Sequence, residues 1–440
     1  SLYPHLIMQY NISPETLIDR RHPSVTVDRI LDETETIDGD YSVCANGAQY
    51  RKDVRGFLPE LMEKIYKDRT VYKKKMLEAK QQYEKKKTKT LEKEIARCNN
   101  IQMARKIQLN SAYGAIGNQY FRYYKLANAE AITLSGQVSI RWIENKMNKF
   151  INKILKTENE DYVIASDTDS IYLNLGPLVE VIYKGREKTN ESIVTFLNKI
   201  CEMEFEKYIE SSYETLAKYV NAYDNKMVMK RENIAERGIW TAKKRYILNV
   251  WDSEGVRYEE PKLKMMGIEA VKSSTPAPCR TMIKDALKLM MNGTEEEVIE
   301  FIDNSRTKFK SLPPEEIAFP RTVSNVRKYH SHTTIYGKGT PIHCRGALLF
   351  NHYIKQKKLT NKYSLIANGE KIKFLYLKKP NLIQENVLSF IQDFPHELGL
   401  DKYIDYDLQF EKSFVEPLKT ILDAIGWNVE KTVNLELFFT

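Results

Sequence analysis

The 440-residue sequence is long enough for two or three packed units with a substantial core. Its 68 Lys and Arg residues exceed its 59 Asp and Glu residues, and the resulting formal charge of +9 favours a polyanionic partner. No apolar run approaches the length of a membrane span, and the first residues lack a signal-peptide pattern. The five cysteines are scattered without zinc spacing, which favours a reducing compartment over a disulfide framework or a structural zinc.

The first quarter of the sequence changes character near residue 56. Residues 1–55 mix short apolar runs with turn signals, which predicts strands and loops with one short helical stretch. Between 56 and 110, apolar residues recur at helical spacing beside a heavily charged face, and Pro59 suits a first helical turn. The lysine-rich segment 84–89 interrupts this pattern and predicts the tip of a two-helix hairpin.

Strand and helix patterns alternate in the rest of the chain. Two short apolar runs surround an acidic turn within 161–173, which predicts a β-hairpin with carboxylates at its bend. Helical spacing returns in 190–224, and 245–251 alternates as a strand that leads into a turn at 252–255. From 268 onward, helical and irregular segments are expected to alternate. This order of elements predicts an α+β fold.

The acidic turn offers a candidate metal site. Asp167 and Asp169 flank one residue, so in a strand they would point to the same face, although a bend could tilt one away. Two carboxylates at a bend supply the oxygen ligands that Mg²⁺ prefers, and such ions serve phosphoryl transfer. A solvated turn is the alternative, and the tripeptide alone favours it.

A second candidate site follows from helical spacing. Lys106, Asn110 and Tyr113 would lie on one side of a helix, where a cation, an amide and a ring could contact phosphates and a base pair. A surface lysine, a polar cap and a core tyrosine are the alternative. Upstream, Arg69 and Lys73 share a helix face, and ordinary solvated charges are the alternative for both.

Four motifs in order resemble those of family B DNA polymerases, in particular the T-even phage type. They are Ser-Leu-Tyr-Pro at 1–4, Lys-x-x-x-Asn-Ser-x-Tyr-Gly at 106–114, Ser-Asp-Thr-Asp-Ser at 166–170, and a segment from Lys-Lys-Arg-Tyr at 243–246 to Lys-Ser-Ser-Thr-Pro at 272–276. The resemblance implies a DNA-directed DNA polymerase. Its primer 3′-hydroxyl would attack the α-phosphate of a paired deoxynucleotide with two Mg²⁺ ions, for which Mn²⁺ could substitute.

The resemblance also implies a right-hand polymerase fold. Its antiparallel-sheet palm would comprise residues 1–55 and 120–267, and its helical-hairpin fingers would comprise 56–119. A mainly helical thumb would follow over 268–440. The implied partners are primer-template DNA, deoxynucleoside triphosphates (dNTPs) and a sliding clamp, and the implied location is the cytoplasm of an infected bacterial host.

Roles for individual residues follow from the same resemblance. Asp169 would be the main metal ligand, with Asp167 and the Leu2 carbonyl beside it, and Lys106 would assist catalysis by gripping the triphosphate. Tyr3 would lie under the sugar and exclude a 2′-hydroxyl. The implied nucleotide-binding residues are Ser1, Leu2, Tyr3, Arg69, Lys73, Lys106, Asn110 and Tyr113.

Two further segments are expected to contact DNA or a protein partner. The implied primer-holding residues are Lys243, Lys244, Arg245, Tyr246 and Lys272, whose contacts would not read sequence. An ordinary exposed basic turn is the alternative for 243–245. His343 is expected to have a structural or phosphate-binding role. The tail is either a terminal strand packed on the thumb or a clamp-binding peptide that includes Leu435, Leu437, Phe438 and Phe439.

The first motif raises a question about the start of the sequence. The family has an aspartate three residues before the serine that corresponds to Ser1, so the expectation is that catalysis and proofreading need an N-terminal half. A shortened or incomplete gene, a split polymerase, and protein splicing that leaves Ser1 after an intein are three explanations. A source protein with Asp-x-x joined to Ser1 would support splicing, whereas two stable unjoined chains would exclude it. A non-catalytic DNA-binding subunit or an inactive fragment is the alternative function.

Overall fold

The protein divides into two compact units. In the computed structural model, residues 2–330 and 334–430 are described. The first unit comprises 1–235 and 250–261, and the second comprises 236–249 and 262–440. Each unit has an apolar core of its own. The mixture of helices and antiparallel sheets confirms the predicted α+β class.

Helices form most of the first unit. A π-helical segment, Cys201–Phe205, joins its last two helices. The helices in the described part of this unit are α1 (Leu2–Tyr10), α2 (Val27–Leu31), α3 (Phe57–Lys85), α4 (Lys89–Ile116), α5 (Leu126–Leu155), α6 (Gly176–Ile182), α7 (Asn190–Ile200) and α8 (Glu206–Tyr219). The expectation of one short helical stretch before residue 56 is therefore wrong, because α1 and α2 both lie there.

The predicted helical hairpin is confirmed as α3 and α4. The turn between them lies within the lysine-rich segment 84–89, and the Thr88 hydroxyl caps α4 by accepting a hydrogen bond from the Leu91 N–H at 3.3 Å. Arg105 on α4 donates to the Asp68 carboxylate on α3 at 2.5 Å, which links the two helices. The hairpin is therefore held by its cap, its turn and a cross-link between its arms.

The 30-residue helix α5 lies in the segment 120–160, for which the sequence patterns above gave no prediction. Its buried stripe includes Ile132, Trp142 and Met147. The Trp142 indole N–H donates to the Ser212 carbonyl on α8 at 3.0 Å, which satisfies the polar atom of this buried ring. α5 thus forms a central element of the first core.

Strands of this unit form short hairpins. β1 (Tyr41–Val43) pairs antiparallel with β2 (Gln49–Arg51). β3 (Val163–Asp167) pairs antiparallel with β4 (Ser170–Leu173), which confirms the predicted acidic hairpin. β5 (Asn233–Ala242), β6 (Arg245–Ser253) and β7 (Val256–Met266) form a further sheet in that order and contribute residues to both units.

The second unit combines helices with a three-stranded antiparallel sheet. Its described α-helices are α9 (Ala277–Asn292), α10 (Glu295–Phe309), α11 (Pro314–Ile317), α12 (Val326–Tyr329), α13 (Ile342–Gln356), α14 (Tyr406–Phe410) and α15 (Glu416–Leu422), and a π-helical segment, Glu411–Val415, joins the last two. The sheet strands are β8 (Phe319–Thr322), β9 (Lys371–Tyr376) and β10 (Val387–Phe390), in the order β10-β9-β8. The expectation of only helical and irregular segments after 268 is therefore wrong. β8 contains Pro320, and far-separated short strands leave little periodic signal.

Helix α13 packs closely on β10 at Gly346. A Cβ atom at this position would lie 2.4 Å from Ser389 Oγ and 2.8 Å from the Ser389 backbone nitrogen. The Ser389 hydroxyl also donates to the His343 carbonyl at 2.9 Å, so the hydroxyl joins this helix to this strand. Only glycine fits here without moving the helix or the strand.

We expect Gly346→Ala to lower the free energy of unfolding by about 1–3 kcal/mol, because the added methyl group overpacks a buried backbone contact. Chemical unfolding of the full chain measures this change. Gly114→Ala on α4 is the matched control, since a Cβ there would meet no atom within 4 Å. The control should be neutral or stabilising by up to about 1 kcal/mol. Equal stability of the Gly346 variant and the wild type would contradict the prediction.

Candidate functional site

The acidic hairpin of the first unit turns within two residues, Thr168 and Asp169. Thr168 adopts a φ of 55°, which is unusual for a β-branched residue and stores backbone strain. The Asp169 N–H donates to the Asp167 carbonyl at 2.6 Å, and the Ser170 hydroxyl donates to the same carbonyl at 3.2 Å. The turn therefore exposes the Asp169 side chain while Asp167 is partly buried.

Helix α1 lies against this turn. Leu2 and His5 on α1 line a small cavity together with Thr168 and Asp169, and Tyr213 on α8 lines it too. The structure thus brings two predicted site residues, Leu2 and Asp169, to one cavity. Ser1, a third predicted residue, lies outside the described residues.

The rings of Tyr3 and Tyr113 pack together, with centroids 4.5 Å apart and an interplanar angle of 37°. Burial raises the pKa of the Tyr3 phenol, and the neighbouring Tyr113 and Asp169 raise it further. Tyr3 contacts Tyr113, and its neighbour Leu2 lines the cavity with Asp169, so the three residues lie close together. They come from three separate motifs of the sequence, so the fold assembles them.

The remaining predicted residues of α4 are exposed. Lys106 and Asn110 project to solvent, whereas Tyr113 is partly buried. A Cβ atom at Gly114 would meet no atom of the described residues within 4 Å, so packing within that part of the chain does not require glycine at this position. The nucleotide-binding roles of these residues stay predictions.

Arg69 and Lys73, one turn apart on α3, differ in their environments. Arg69 is buried, and its Nε finds no hydrogen-bond partner in the described part of the chain. A buried N–H of this kind is rare and is commonly satisfied by a ligand or water. Lys73 instead pairs with the Glu254 carboxylate at the β6–β7 turn.

The basic turn of the second unit lies between β5 and β6. Lys243 and Lys244 form this turn and are exposed, whereas Tyr246 is 4% exposed. Such burial leaves the Tyr246 side chain little surface for contact with DNA in this conformation. The Lys244 backbone has a φ of 62°, and a Cβ at Gly267 would lie 2.3 Å from its carbonyl oxygen, so glycine permits this close approach.

Two of the predicted DNA-binding cations converge on one carboxylate. Arg245 donates to both Glu269 oxygens at 2.8 and 2.9 Å, and Lys272 donates to Glu269 Oε1 at 2.8 Å. Burial alone would raise the pKa of Glu269, but the hydrogen bonds from these cations outweigh it and lower that pKa to about 2. Arg245 and Lys272 are thus held within the protein.

Other predicted positions are less informative. Burial, assisted by Arg321, lowers the pKa of His343, whose ring centroid lies 6.4 Å from that of Phe374. This packing is compatible with the structural role expected for His343. The predicted clamp-binding residues lie outside the described residues: Leu435, Leu437, Phe438 and Phe439.

The donor chemistry of the acidic turn suits a hard cation, since Asp167 and Asp169 offer only oxygen. Within 2–330 and 334–430, no three His, Cys, Asp or Glu side chains form a metal-binding group. All five cysteines are buried thiols without a disulfide. None of the helices in the described ranges has both the length and the apolarity to cross a membrane.

Two residues near the predicted site were not predicted from the sequence. Tyr213 lines the cavity beside Asp169, and its pKa is raised by burial and then by Asp169. Glu254 contacts Lys73 from the turn between β6 and β7. The Glu-Gly pair indicates a turn at this position, but no local pattern reports what the turn contacts.

Comparison with known proteins shows extensive similarity to polymerases. Residues 1–425 match the model of DNA polymerase family B. The chain is 31% identical to the DNA-directed DNA polymerase of Enterobacteria phage T4, over 100% of this chain and 54% of that protein. It is 32% identical to the DNA-directed DNA polymerase of Escherichia phage RB69, over 99% of this chain and 54% of that protein. The chain therefore spans about half the length of these relatives.

We expect the stabilisation that Glu269 provides to depend on pH. Its pKa is lowered from an ordinary 4.5 to about 2 in the folded protein, so this stabilisation is present above pH 4.5 and is lost as the pH falls toward 2. The difference in free energy of unfolding between the wild type and Glu269→Gln should shrink over that window. Unfolding titrations at a series of pH values measure it, with Glu300→Gln on the exposed face of α10 as a charge-matched control. A difference that is constant with pH would refute the assignment.

Proposed function

Because the chain belongs to DNA polymerase family B, we propose that it forms the nucleotide-incorporating part of a phage replicative DNA polymerase. Its substrates would be primer-template DNA and dNTPs, and it would act in an infected bacterial cell. The observation that carries the proposal is the convergence of Leu2, Tyr3, Tyr113 and Asp169 within the first unit. These residues belong to three motifs that share one environment only in the folded chain.

The proposed domains follow the right-hand arrangement. The α3–α4 hairpin would be the fingers, over residues 56–119. The palm would comprise 1–55 and 120–267, with the acidic hairpin β3–β4 at its active site. Residues 268–440 would form the thumb, although three of its segments pair as the sheet β8–β10. The length and internal cross-link of the α3–α4 hairpin support motion as one body during nucleotide binding.

Divalent ions would complete the reaction centre. Two Mg²⁺ ions, for which Mn²⁺ could substitute, would be held by Asp169, Asp167 and the Leu2 carbonyl, and would activate the primer hydroxyl and neutralise the leaving pyrophosphate. Asp167 and Asp169 are both on the hairpin, and Leu2 and Asp169 line the same cavity, which supports this ligand set.

The side chains around this centre would bind and orient the nucleotide. Arg69, with its unpartnered buried Nε, and Lys106, on the exposed face of α4, would bind the triphosphate. Lys73 would join them once it leaves Glu254. Asn110 and the Ser1 amide would assist. Tyr113 would pack beside the new base pair.

Sequence-independent contacts would hold the primer. Lys243 and Lys244 are exposed at the β5–β6 turn, where they can meet phosphates directly. Arg245 and Lys272 share Glu269, so phosphate contact by either residue would compete with that carboxylate. Tyr246 would contribute by supporting the turn. The tail residues 435–439 would bind a sliding clamp.

Extension and proofreading would require further polypeptide. The aligned region covers about half of each phage relative, and the resemblance of the first motif implies an aspartate three residues before the position of Ser1. We therefore expect the chain to act together with a polypeptide that corresponds to the other part of these relatives.

Primer extension tests the proposal directly. The chain is assayed alone and mixed with a polypeptide that supplies the rest of a T4-like polymerase. We expect extension in the mixture, and Asp169→Ala should reduce it about a thousandfold or more, because a catalytic metal site contributes several kcal/mol. Extension that survives this substitution would refute the assigned metal ligand. DNA binding without extension by the mixture would favour the alternative of a non-catalytic DNA-binding subunit.

A second prediction concerns sugar selection by Tyr3. We expect Tyr3→Ala to lower the ratio of kcat/KM for dNTPs to that for ribonucleotides at least about tenfold, since the ring would no longer exclude the 2′-hydroxyl. Tyr3→Phe is the matched control and should retain the ratio, because the ring alone provides the steric block. Single-nucleotide incorporation by the assembled enzyme measures both variants. Equal loss of discrimination in both would point to the phenol hydroxyl instead.

A further inference from the structure

The turn between β6 and β7 has a residue type that its backbone does not favour. Glu254 has a φ of 53° and Gly255 a φ of 88°. Positive φ at both central residues of a two-residue hairpin favours Asn-Gly or Asp-Gly. A glutamate at the first position therefore costs conformational energy that a shorter polar residue would avoid. The backbone conformation of the turn therefore does not explain why residue 254 is a glutamate.

A buried ionic cluster fixes this turn in place. Asp252, with a side chain 3% exposed, pairs with both Arg231 and Arg257 and accepts a hydrogen bond from the Gly255 N–H at 3.0 Å. The Glu254 N–H donates to the Glu232 carbonyl at 2.6 Å. These contacts constrain the backbone on both sides of Glu254.

The fixed turn contacts helix α3 at two points. The Glu254 carboxylate pairs with the Lys73 ammonium group, and the two side chains are only 28% and 33% exposed. Two helical turns further along α3, the Gln81 side-chain oxygen accepts a hydrogen bond from the Arg257 N–H at 3.3 Å. The β6–β7 turn therefore holds the arm of the helical hairpin that carries the proposed triphosphate-binding cations.

We propose that the Glu254 carboxylate holds Lys73 in the absence of nucleotide and is displaced by the triphosphate. The inference rests on the proposed function, because it assigns Lys73 to the triphosphate. Arg69, one turn away, is 9% exposed, and its Nε has no hydrogen-bond partner among the described residues. Lys73 is recruited only when the incoming phosphates compete successfully with a carboxylate.

This competition has a defined energetic consequence. Every nucleotide that engages Lys73 must first separate the pair, so its apparent affinity is lowered by the stability of the Glu254 contact. A partly exposed ion pair is weak enough for a polyphosphate to replace it. The same separation removes one of the two contacts between α3 and the β6–β7 hairpin. Nucleotide binding and the loss of this contact are therefore coupled through one lysine.

Equilibrium binding of dATP to the full chain in the presence of Ca²⁺ tests the inference, with titration calorimetry as the readout. Glu254→Gln should bind dATP roughly two- to tenfold more tightly than the wild type. Glu254→Asn removes the same carboxylate, and asparagine is favoured at this position of the turn. This variant should therefore fold well and bind dATP as tightly as Glu254→Gln. Glu260→Gln, exposed on the same hairpin, should match the wild type.

The variant Lys73→Gln distinguishes a failure of the proposed function from a failure of this inference. We expect it to weaken dATP binding and to abolish the effect of Glu254→Gln in the double variant. If Lys73→Gln binds like the wild type, the role of Lys73 in the proposed function fails and the inference fails with it. If Lys73→Gln weakens binding but neither Glu254 variant strengthens it, the inference is overturned while the proposed function stands.

Hydrogen exchange supplies a readout that needs no nucleotide. Without the pair, amides of α3 near Lys73 and Gln81 should exchange faster in Glu254→Asn than in the wild type, and Glu260→Gln should leave them unchanged. Addition of dATP should raise exchange at these amides in the wild type toward that of the variant. Equal exchange in the wild type and Glu254→Asn would show that the turn does not hold the helix, and would overturn the inference.

Discussion

The burial of helix α1 is the constraint on which the candidate site depends. Its residues from Pro4 to Tyr10 are buried, and a Cβ at Gly136 of α5 would lie 3.1 Å from the Leu2 side chain and 3.4 Å from that of Leu6. Glycine thus lets α1 lie directly on α5. This close packing sets the positions of Leu2 and Tyr3, and through them the shape of the cavity beside Asp169. A larger residue at Gly136 would displace α1 and so change the positions of Leu2 and Tyr3, although it would not itself contact a ligand.

Net charge is a poor guide to which cations can meet a polyanion. The chain carries an excess of basic residues, yet Lys73, Arg245 and Lys272 are each paired with a carboxylate of the same unit. Partly exposed pairs of this kind contribute little stability and can exchange partners. Their carboxylates orient these long side chains. A phosphate can bind one of these cations only if it binds it more strongly than the carboxylate does. Lys243 and Lys244 are exposed at a turn.

Periodicity and turn signals in the sequence predicted the elements whose formation depends mainly on neighbouring residues. The α3–α4 hairpin follows from helical periodicity with a lysine-rich tip, and β3–β4 follows from two apolar runs around an acidic turn. Helix α5 was not predicted, although its buried residues Ile132, Ser135, Ser139 and Trp142 recur at helical spacing. The pairing of β8 with β9 joins residues far apart in the sequence, which periodicity does not report. For the site, motifs identified candidate residues, but the contacts of Tyr213 and Glu254 arise from tertiary packing alone.

Three hairpin turns share a feature that links backbone strain to exposed chemistry. Thr168, Lys244 and Glu254 all adopt positive φ, where asparagine or glycine would cost less. Each turn presents a charged side chain: Asp169 follows Thr168, and the other two residues carry the charge themselves. Two-residue turns between paired strands fix the direction of these groups more firmly than a longer loop would. The backbone strain is therefore the energetic cost of placing a charged side chain on a short hairpin turn. A longer loop would hold the charged group less firmly, and a glycine or asparagine in place of the strained residue would change the side chain.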